Sequence, residues 1–299
     1  MKRYQLSDAL SISAVVQGFW RLDGWNFSAG ELANFMNACI DRGVTTFDTA
    51  EIYGGTVCET LMGEAFQKDP TIRKRIELVS KTGIFVETIN GKPFGYYNTS
   101  YDRVMQSCRE SLRRLNTDSL DLYLIHREDP CLDVWETARA LKQLKKDGLV
   151  REVGVSNFDP FKFAALNKAM DGALVTNQIE WNPVCFEHFN SGMMDVLTSE
   201  KIHPMIWSPL AGGRLFSDDA ACVSAMKKIG EIAERHNVDP SVIVYAWIFY
   251  HPVGAAPITG TNKLARLDHA IQALDVKLAH HEWFEIYAAS GQQKIRYRF

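Results

Sequence analysis

Leu-Asp-Leu-Tyr-Leu-Ile-His (120–126) is the last of three apolar runs that decide the fold, and the other two are Gly-Val-Thr-Thr-Phe-Asp (43–48) and Ile-Glu-Leu-Val-Ser-Lys (76–81). Each run has the length and apolar character of a buried strand, and each ends on a side chain that can ionise. Burying an unpaired charge is costly, so three successive strand ends of this kind predict that the ionisable groups meet and share charge. These groups are Asp48, Lys81 and His126, with Tyr53 close behind the first run.

Outward from these runs, short apolar segments alternate with longer segments of helical periodicity, a pattern typical of βα units and a parallel sheet. After a polar hairpin near 4–12, the predicted strands lie near 14–19, 44–48, 76–81, 120–126, 150–155, 174–178, 203–207 and 255–258. The predicted helices lie near 28–42, 59–67, 100–115, 132–147, 158–169, 190–200, 222–237, 262–274 and 280–290.

Eight strand–helix pairs favour an α/β fold of the (β/α)8 TIM barrel type, with a short N-terminal β-hairpin and an extra C-terminal helix. The pattern G-x-G-x-x-G, which marks the doubly wound dinucleotide-binding sheet, does not occur in the sequence. No linker or shift of composition divides residues 1–299, so we expect a single domain. Barrel enzymes carry their working groups on the loops after the carboxyl ends of the strands, which is where Asp48, Lys81 and His126 fall.

The composition is that of an ordinary globular protein, with 46% hydrophobic and 23% charged residues in 299. The net charge is −3 and there is no basic run, so we expect no binding to nucleic acid or to an anionic membrane. The six cysteines are scattered without a C-x-x-C pair, which favours reduced thiols and a cytoplasmic protein. The amino terminus leads into no long apolar segment, and the apolar stretch Val242–Tyr250 is too short to span a bilayer.

An Asp–Lys pair beside a tyrosine has a chemical logic. An ammonium next to a phenol stabilises the phenolate and lowers its pKa from about 10. Lys81 would therefore make Tyr53 a proton donor near neutral pH, while Asp48 keeps the lysine charged and oriented. The alternative is a structural ion pair at a strand end, with a separate tyrosine at the surface.

Seven segments resemble the signature segments of the aldo-keto reductase family. They follow one another in register between about residues 18 and 270: Phe-Asp-Thr-Ala-Glu-Ile-Tyr-Gly (47–54), Val-Ser-Lys-Thr (79–82), Leu-Ile-His-Arg (124–127), Gly-Val-Ser-Asn-Phe (154–158), Asn-Gln-Ile-Glu-Trp-Asn-Pro (177–183), Trp-Ser-Pro-Leu (207–210) and Pro-Ile-Thr-Gly-Thr-Asn (257–262). Any one segment could arise by chance, but all seven in order identify the chain as a member of this family.

The resemblance implies a (β/α)8 barrel that reduces aldehyde or ketone carbonyls by hydride transfer from a nicotinamide. Tyr53 would be the general acid that protonates the carbonyl oxygen, Lys81 paired with Asp48 would tune it, and His126 would orient the carbonyl. These roles agree with the chemistry, because negative charge builds on the oxygen as the hydride arrives and a poised donor stabilises it.

The resemblance also implies a site for NADP(H). Ser156, Asn157 and Gln178 would bind the nicotinamide carboxamide, and Trp207 would stack on the ring. Further cofactor contacts would come from residues along the pyrophosphate and at the adenosine end, namely Ser208, Leu210, Arg214, Gly260, Thr261, Asn262 and Arg266. Arg266 would read the 2′-phosphate, since a guanidinium fork suits phosphate, which favours NADP(H) over NAD(H). Many members carry a lysine where Gly260 stands, and Lys263 is another source of that charge.

Two of these cofactor residues have structural alternatives. Ser156 and Asn157 could simply cap the helix that follows them, and Trp207 could be a core aromatic residue.

Trp20 matches a position that often lines the substrate pocket in the family. Trp25, Tyr53 and residues of the stretch Phe94–Tyr97 would join it in an aromatic pocket, with ordinary loop packing as the alternative. Relatives with a strong substrate preference often use a longer carboxy-terminal loop than Gly-Gln-Gln-Lys-Ile-Arg-Tyr-Arg-Phe (291–299). We therefore expect a shallow, permissive pocket for small carbonyl compounds.

Two other functions use the same residues. The potassium-channel β subunits share this barrel, so the chain could be a cofactor-sensing binding subunit; it could also be a lyase in which Lys81 forms a Schiff base. The cofactor motifs argue against the lyase, and the β subunits usually carry an extra N-terminal segment that this sequence lacks, so we expect a reductase. We also expect a monomer. The run His280-His281-Glu282 lacks the spaced partners of a metal site, so we expect no metal.

Overall fold

Eight parallel strands form the closed barrel that the sequence predicts. The computed structural model describes residues 1–291, so the expectation drawn from the carboxy-terminal tail lies almost wholly outside the described residues. The strands, in chain order, are β1 (Arg3–Ser7), β2 (Leu10–Ser13), β3 (Val16–Gly18), β4 (Thr46–Asp48), β5 (Glu77–Thr82), β6 (Ile84–Ile89), β7 (Lys92–Tyr97), β8 (Leu120–Ile125), β9 (Val150–Ser156), β10 (Leu174–Glu180), β11 (Met205–Trp207) and β12 (Ala256–Thr259). The order around the barrel is β3-β4-β5-β8-β9-β10-β11-β12, with β12 pairing β3 to close it.

The barrel has an apolar interior that is closed at its amino-terminal end by the hairpin of β1 and β2. Leu10 and Ile12 of the hairpin pack with inward residues of the barrel strands, among them Val79 and Leu122. An ion pair of 2.7 Å between Arg3 and Glu77 ties the hairpin to β5. The polar residues of interest therefore lie at the other, carboxyl end of the barrel.

Helices surround the barrel and pack on the outward faces of the strands. They are α1 (Ala29–Asp41), α2 (Val57–Lys68), α3 (Tyr101–Arg114), α4 (Val134–Lys146), α5 (Pro160–Ala169), α6 (Glu187–Asn190), α7 (Met193–Ser199), α8 (Ala220–His236), α9 (Pro240–Tyr250), α10 (Leu264–Gln272) and α11 (His280–Ala289). Ser28 begins α1 with a capping box to Glu31, and Asp159 caps α5, which starts with proline. The predicted extra carboxy-terminal helix is α11, so this prediction is confirmed.

Helix α9 and the hairpin of strands β6 and β7 were not predicted. Helix α9 is buried over Ser241–Ile248, so it has no polar face and its sequence carries no helical periodicity. Strands β6 and β7 form a hairpin that follows β5 at the carboxyl end of the barrel. Its turn is Asn90-Gly91 with φ of 51° and 75°, and Asn-Gly between apolar runs is a strong hairpin signal that could have revealed it. No helix within residues 1–291 has the length and apolar character needed to cross a membrane.

Candidate active site

Four side chains meet at the carboxyl end of the barrel, as the strand ends predicted. Asp48 ends β4, Lys81 lies in β5, His126 follows β8 and Tyr53 begins a 3-10 turn just after β4. The Lys81 ammonium donates to Asp48 Oδ1 at 2.7 Å, to the carbonyl oxygen of Thr49 at 2.8 Å and to the Tyr53 hydroxyl at 3.2 Å. An ammonium has three protons, so all three are used and the lysine is held in one place.

A glycine turn brings Tyr53 back over the lysine. Gly54 has a φ of 56°, and a Cβ atom there would lie 3.1 Å from the side chains of both Asp23 and Cys58. A larger residue would therefore be strained and would push the turn away from its neighbours. The Tyr53 ring sits with the Lys81 ammonium 4.8 Å from its centre.

The pKa values of this pair differ in part from the prediction. Burial alone would lower the pKa of Lys81, but the charges and hydrogen bonds of Asp48 and Tyr53 raise it above its ordinary value, so the lysine is charged. Burial raises the pKa of Tyr53, and Lys81 opposes that rise without overcoming it. The expectation of a lowered tyrosine pKa is thus wrong for the protein alone, because desolvation of the phenolate outweighs the ammonium. Tyr53 is a protonated phenol at neutral pH.

His126 is a neutral imidazole. Burial, followed by the charges of Lys81 and Arg127, lowers its pKa well below 6.5. Its ring centre lies 5.6 Å from that of Tyr53 in an edge-to-face arrangement. Its Nδ1 atom is buried and has no hydrogen-bond partner within residues 1–291. His126 can therefore act as a hydrogen-bonding group beside the tyrosine, but not as a cation.

Behind β5, a buried charge network that sequence reasoning missed supports the site. Ser80 and Thr82 flank Lys81, and their hydroxyls donate to Glu59 at 2.6 Å and to Glu51 at 2.9 Å. Arg114 of α3 pairs with Glu59 at 2.8 Å. Both glutamates occur close to Tyr53 in sequence, and acidic residues next to an apolar strand were the available signal.

A chain of hydrogen bonds joins the ends of β8 to β11 next to the four residues. Asn157, at a φ of 61°, donates to the His126 carbonyl oxygen at 3.2 Å and to Ser156 Oγ at 2.8 Å. Its side-chain oxygen accepts from the Trp207 indole at 2.8 Å. Ser156 Oγ donates to the Gln178 carbonyl oxygen at 2.8 Å, and Gln178 Nε2 donates to Asp48 Oδ2 at 2.8 Å, so these hydrogen bonds connect to the Asp–Lys pair. The structure therefore brings together the four residues predicted for the nicotinamide and the four predicted for catalysis.

The other predicted cofactor residues lie on two further loops of the same barrel end. Ser208 and Leu210 follow β11, and Arg214 is an exposed residue of the next 3-10 turn, 3.2 Å from Asp219. The remaining residues follow β12 or lie in α10, namely Gly260, Thr261, Asn262 and Arg266. Arg266 is exposed, and no carboxylate of the described residues pairs with it.

The residues predicted to line the substrate pocket do not all lie in one place. Trp20 follows β3, and its ring is 57% exposed at the same barrel end. Trp25 instead packs into an aromatic cluster with Phe19, Phe27 and Phe35, so the packing alternative applies to it. Phe94 and Tyr97 are exposed on the hairpin of β6 and β7.

The histidines near the carboxy terminus have structural partners. His280 bonds the Tyr250 hydroxyl at 2.8 Å, and Glu282 bonds His236 at 2.9 Å. Within the described residues there is no group of three or more His, Cys, Asp or Glu side chains that could hold a metal ion.

Comparisons with known proteins agree with this geometry. Residues 14–290 match the model of the Aldo/keto reductase family. The chain is 41% identical to the uncharacterized oxidoreductase YcsN of Bacillus subtilis, over 97% of this chain and 98% of the relative. It is 39% identical to a 6-dehydroglucose reductase of Agrobacterium fabrum, over 99% and 100% of the two chains.

A solved structure gives the same result. The thermostable aldo-keto reductase Tm1743, crystallised with the inhibitor epalrestat, superposes with a TM-score of 0.82 at 26% identity, over 97% of this chain and all of that one. The barrel, the meeting of the four side chains and the sequence matches lead to one conclusion: this chain is an oxidoreductase that belongs to the aldo-keto reductase family.

Proposed function

We propose that this protein is an NADPH-dependent reductase of aldehyde and ketone carbonyls, in which Tyr53 is the proton donor. The observation that carries the proposal is the bond from the Lys81 ammonium to the Tyr53 hydroxyl at 3.2 Å. Because the phenol oxygen accepts from the lysine, its own proton is free to be donated elsewhere. A carbonyl oxygen that gains negative charge is the acceptor to which such a donor is suited.

The residues around Gln178 fit a nicotinamide. Its Nε2 atom is engaged by Asp48, so its side-chain oxygen, which has no partner among the described residues, is left to accept from a carboxamide N–H. The Trp207 indole is half-buried and fixed by Asn157, which presents a ring for stacking. When bound, the nicotinamide supplies the hydride.

The chain's own residues then have separate tasks. Tyr53 gives its proton to the carbonyl oxygen, and Lys81 stabilises the phenolate that results. Asp48 keeps the lysine charged, as the raised pKa of Lys81 indicates. Neutral His126 hydrogen-bonds the carbonyl and holds it toward the phenol.

The relatives also bear on the class of substrate that we propose. The similarity to a 6-dehydroglucose reductase supports carbonyl compounds derived from sugars, which carry hydroxyl groups near the reacting carbon. The exposed Trp20 at the barrel mouth offers an apolar surface for such a substrate.

Replacing Tyr53 by phenylalanine tests the proposal. General acid catalysis typically contributes about 10²–10⁴-fold, so Tyr53→Phe should lower kcat/KM for aldehyde reduction by at least 100-fold while leaving the Kd for NADPH almost unchanged. NADPH oxidation with a panel of aldehydes, ketones and diones measures the rate, and fluorescence titration measures the affinity. Tyr250→Phe is the matched control, because it also removes one tyrosine hydroxyl, and that hydroxyl bonds His280 of α11 instead of Lys81. Turnover retained in Tyr53→Phe would remove this residue from the mechanism.

A further inference from the structure

Arg127 is a charged residue at the barrel mouth to which the mechanism above gives no task. It follows His126 directly, at the end of β8. Its guanidinium carbon lies 5.4 Å from the centre of the Trp207 ring, at the end of β11. Strand β11 stands three places from β8 around the barrel, so the side chain reaches over the ends of the intervening strands. Its charge therefore lies over the mouth of the barrel and not on its outer wall.

Within the described part of the chain, the hydrogen-bond donors of Arg127 have no protein partner. Among residues 1–291, no carboxylate lies within ion-pair distance of it and no oxygen accepts from it. Other arginines at the rim differ: Arg214 pairs with Asp219 at 3.2 Å, and Arg21 donates to the Gly212 carbonyl at 3.4 Å. A guanidinium has five donors in a rigid fork, so Arg127 offers donors that only a ligand or water can use.

The guanidinium is also close enough to the reacting groups to affect them. Its charge contributes to the lowered pKa of His126 and opposes the rise of the Tyr53 pKa caused by burial. Trp207, on which it stacks, is tied through Asn157 to the carbonyl oxygen of His126. A substrate with its carbonyl between Tyr53 and His126 would thus have its neighbouring atoms beside Arg127.

We propose that Arg127 determines specificity by donating hydrogen bonds to oxygen atoms next to the reacting carbonyl of the substrate. The preferred substrates are then carbonyl compounds with a hydroxyl or a carboxylate beside the carbonyl. Both groups present oxygen acceptors to the fork, and they differ in charge and in geometry. This inference rests on the proposed carbonyl reduction and names the substrate class for the same site.

Three aldehydes of similar size test the inference: glyceraldehyde with neighbouring hydroxyls, glyoxylate with a neighbouring carboxylate, and propanal with neither. The measured quantity is the ratio of kcat/KM for each oxygenated aldehyde to that for propanal, with NADPH. Arg127→Gln should lower at least one ratio by about tenfold to 100-fold, the effect of losing a hydrogen bond from a charged donor. Arg127→Lys distinguishes a preference for a neighbouring carboxylate from one for neighbouring hydroxyls. A point charge retains the carboxylate preference but loses the forked contact to two hydroxyls.

Arg139→Gln is the matched control, because Arg139 also stacks on an aromatic ring, Tyr101 at 4.3 Å, but on the outer surface of α4. Its ratios should equal those of the wild type. Equal losses for all three aldehydes in Arg127→Gln, or no loss, would overturn the inference. Failure of the wild type to oxidise NADPH with any of them would instead refute the proposed function.

If the wild type shows no turnover, a binding measurement still tests the role of Arg127. Glycerate carries both kinds of oxygen, and calorimetric titration measures its affinity without turnover. The wild type should bind it at least tenfold more tightly than Arg127→Gln, and equal binding would overturn the inference.

Discussion

The buried Asp48–Lys81 pair allows a prediction in which the effect of a substitution on stability depends on pH. Lys81 is fully buried, and Asp48 is the only carboxylate of the described residues within ion-pair distance of it. Asp48→Asn removes the charge that raises the pKa of Lys81 and leaves burial, which lowers it. The folded variant must then hold either an unpaired ammonium or a neutral lysine.

The free-energy cost of deprotonating Lys81 sets an upper limit on the penalty for burying it charged and unpaired. Deprotonating a lysine whose unfolded pKa is 10.5 costs about 1.4 kcal/mol for each pH unit below that value. The limit is therefore about 5 kcal/mol at pH 7 and about 2 kcal/mol at pH 9. Breaking a buried pair typically costs about 3–5 kcal/mol, so we expect a loss of that size at pH 7. Because only the charge penalty depends on pH, this loss should shrink by up to about 3 kcal/mol at pH 9.

The wild type behaves in the opposite sense. Its Lys81 pKa is raised in the folded state, so the stability contributed by this group is fully present below pH 10.5 and is lost only as pH rises through the folded value. In Asp48→Asn the folded pKa falls below 10.5, so stability rises with pH up to that value. The two proteins should therefore approach each other in stability between pH 7 and pH 9.

Urea unfolding followed by tryptophan fluorescence at both pH values measures this difference. Groups common to both proteins cancel when the variant is compared with the wild type at the same pH. The double variant Asp48→Asn/Lys81→Met is the control, because no lysine remains at position 81 to titrate. Its loss of unfolding free energy relative to the wild type should be the same at pH 7 and pH 9. A single variant whose deficit does not shrink at pH 9 would refute the claim that Lys81 is held charged by Asp48.

Three further results are expected. Arg266→Ala should weaken NADPH binding far more than NADH binding, measured by fluorescence titration, because an exposed arginine that pairs with no carboxylate among residues 1–291 is free for a 2′-phosphate; equal effects would contradict that role. Arg114→Met should lower the free energy of unfolding by about 3–5 kcal/mol, since Glu59 is fully buried and would lose its ion pair at 2.8 Å; a urea midpoint equal to that of the wild type would be the contrary result. Stability should fall above about pH 9, because burial raises the pKa of Cys39 and Cys108 to about 12 and their contribution, complete below the ordinary thiol value, is lost as pH rises toward 12; the decline should be smaller in Cys39→Ala/Cys108→Ala than in the wild type.

The strand ends were predictable because the burial cost of a charge leaves few solutions. Once Asp48 and Lys81 were assigned to neighbouring strand ends, their contact followed from barrel geometry, and it is present at 2.7 Å. The helices with a polar face were predictable for a similar reason, since their periodicity reflects one buried side. Helix α9 has no polar face and left no such pattern.

What the sequence did not reveal depends on distances between segments far apart in the chain. The sign of the Tyr53 pKa is a balance between burial and the Lys81 charge, and only the folded chain fixes how much of the phenol is desolvated. Arg127 had no visible role because its contact, Trp207, lies 80 residues further on. Glu51 and Glu59 could be noticed as acidic residues near an apolar strand, but their partner Arg114 comes from α3, more than 50 residues further on.

The two oxygens of Asp48 link the proposed catalytic residues to the proposed cofactor residues. Oδ1 accepts from Lys81 at 2.7 Å, and Oδ2 accepts from Gln178 at 2.8 Å. The first bond holds the ammonium beside the phenol, and the second fixes the Gln178 amide, whose oxygen is left for the proposed nicotinamide. A shift of Asp48 would therefore move the proposed proton donor and the proposed nicotinamide contact together. One carboxylate thus keeps the two halves of the proposed reaction in register, which a strand end in a closed barrel can do because its neighbours on both sides are fixed.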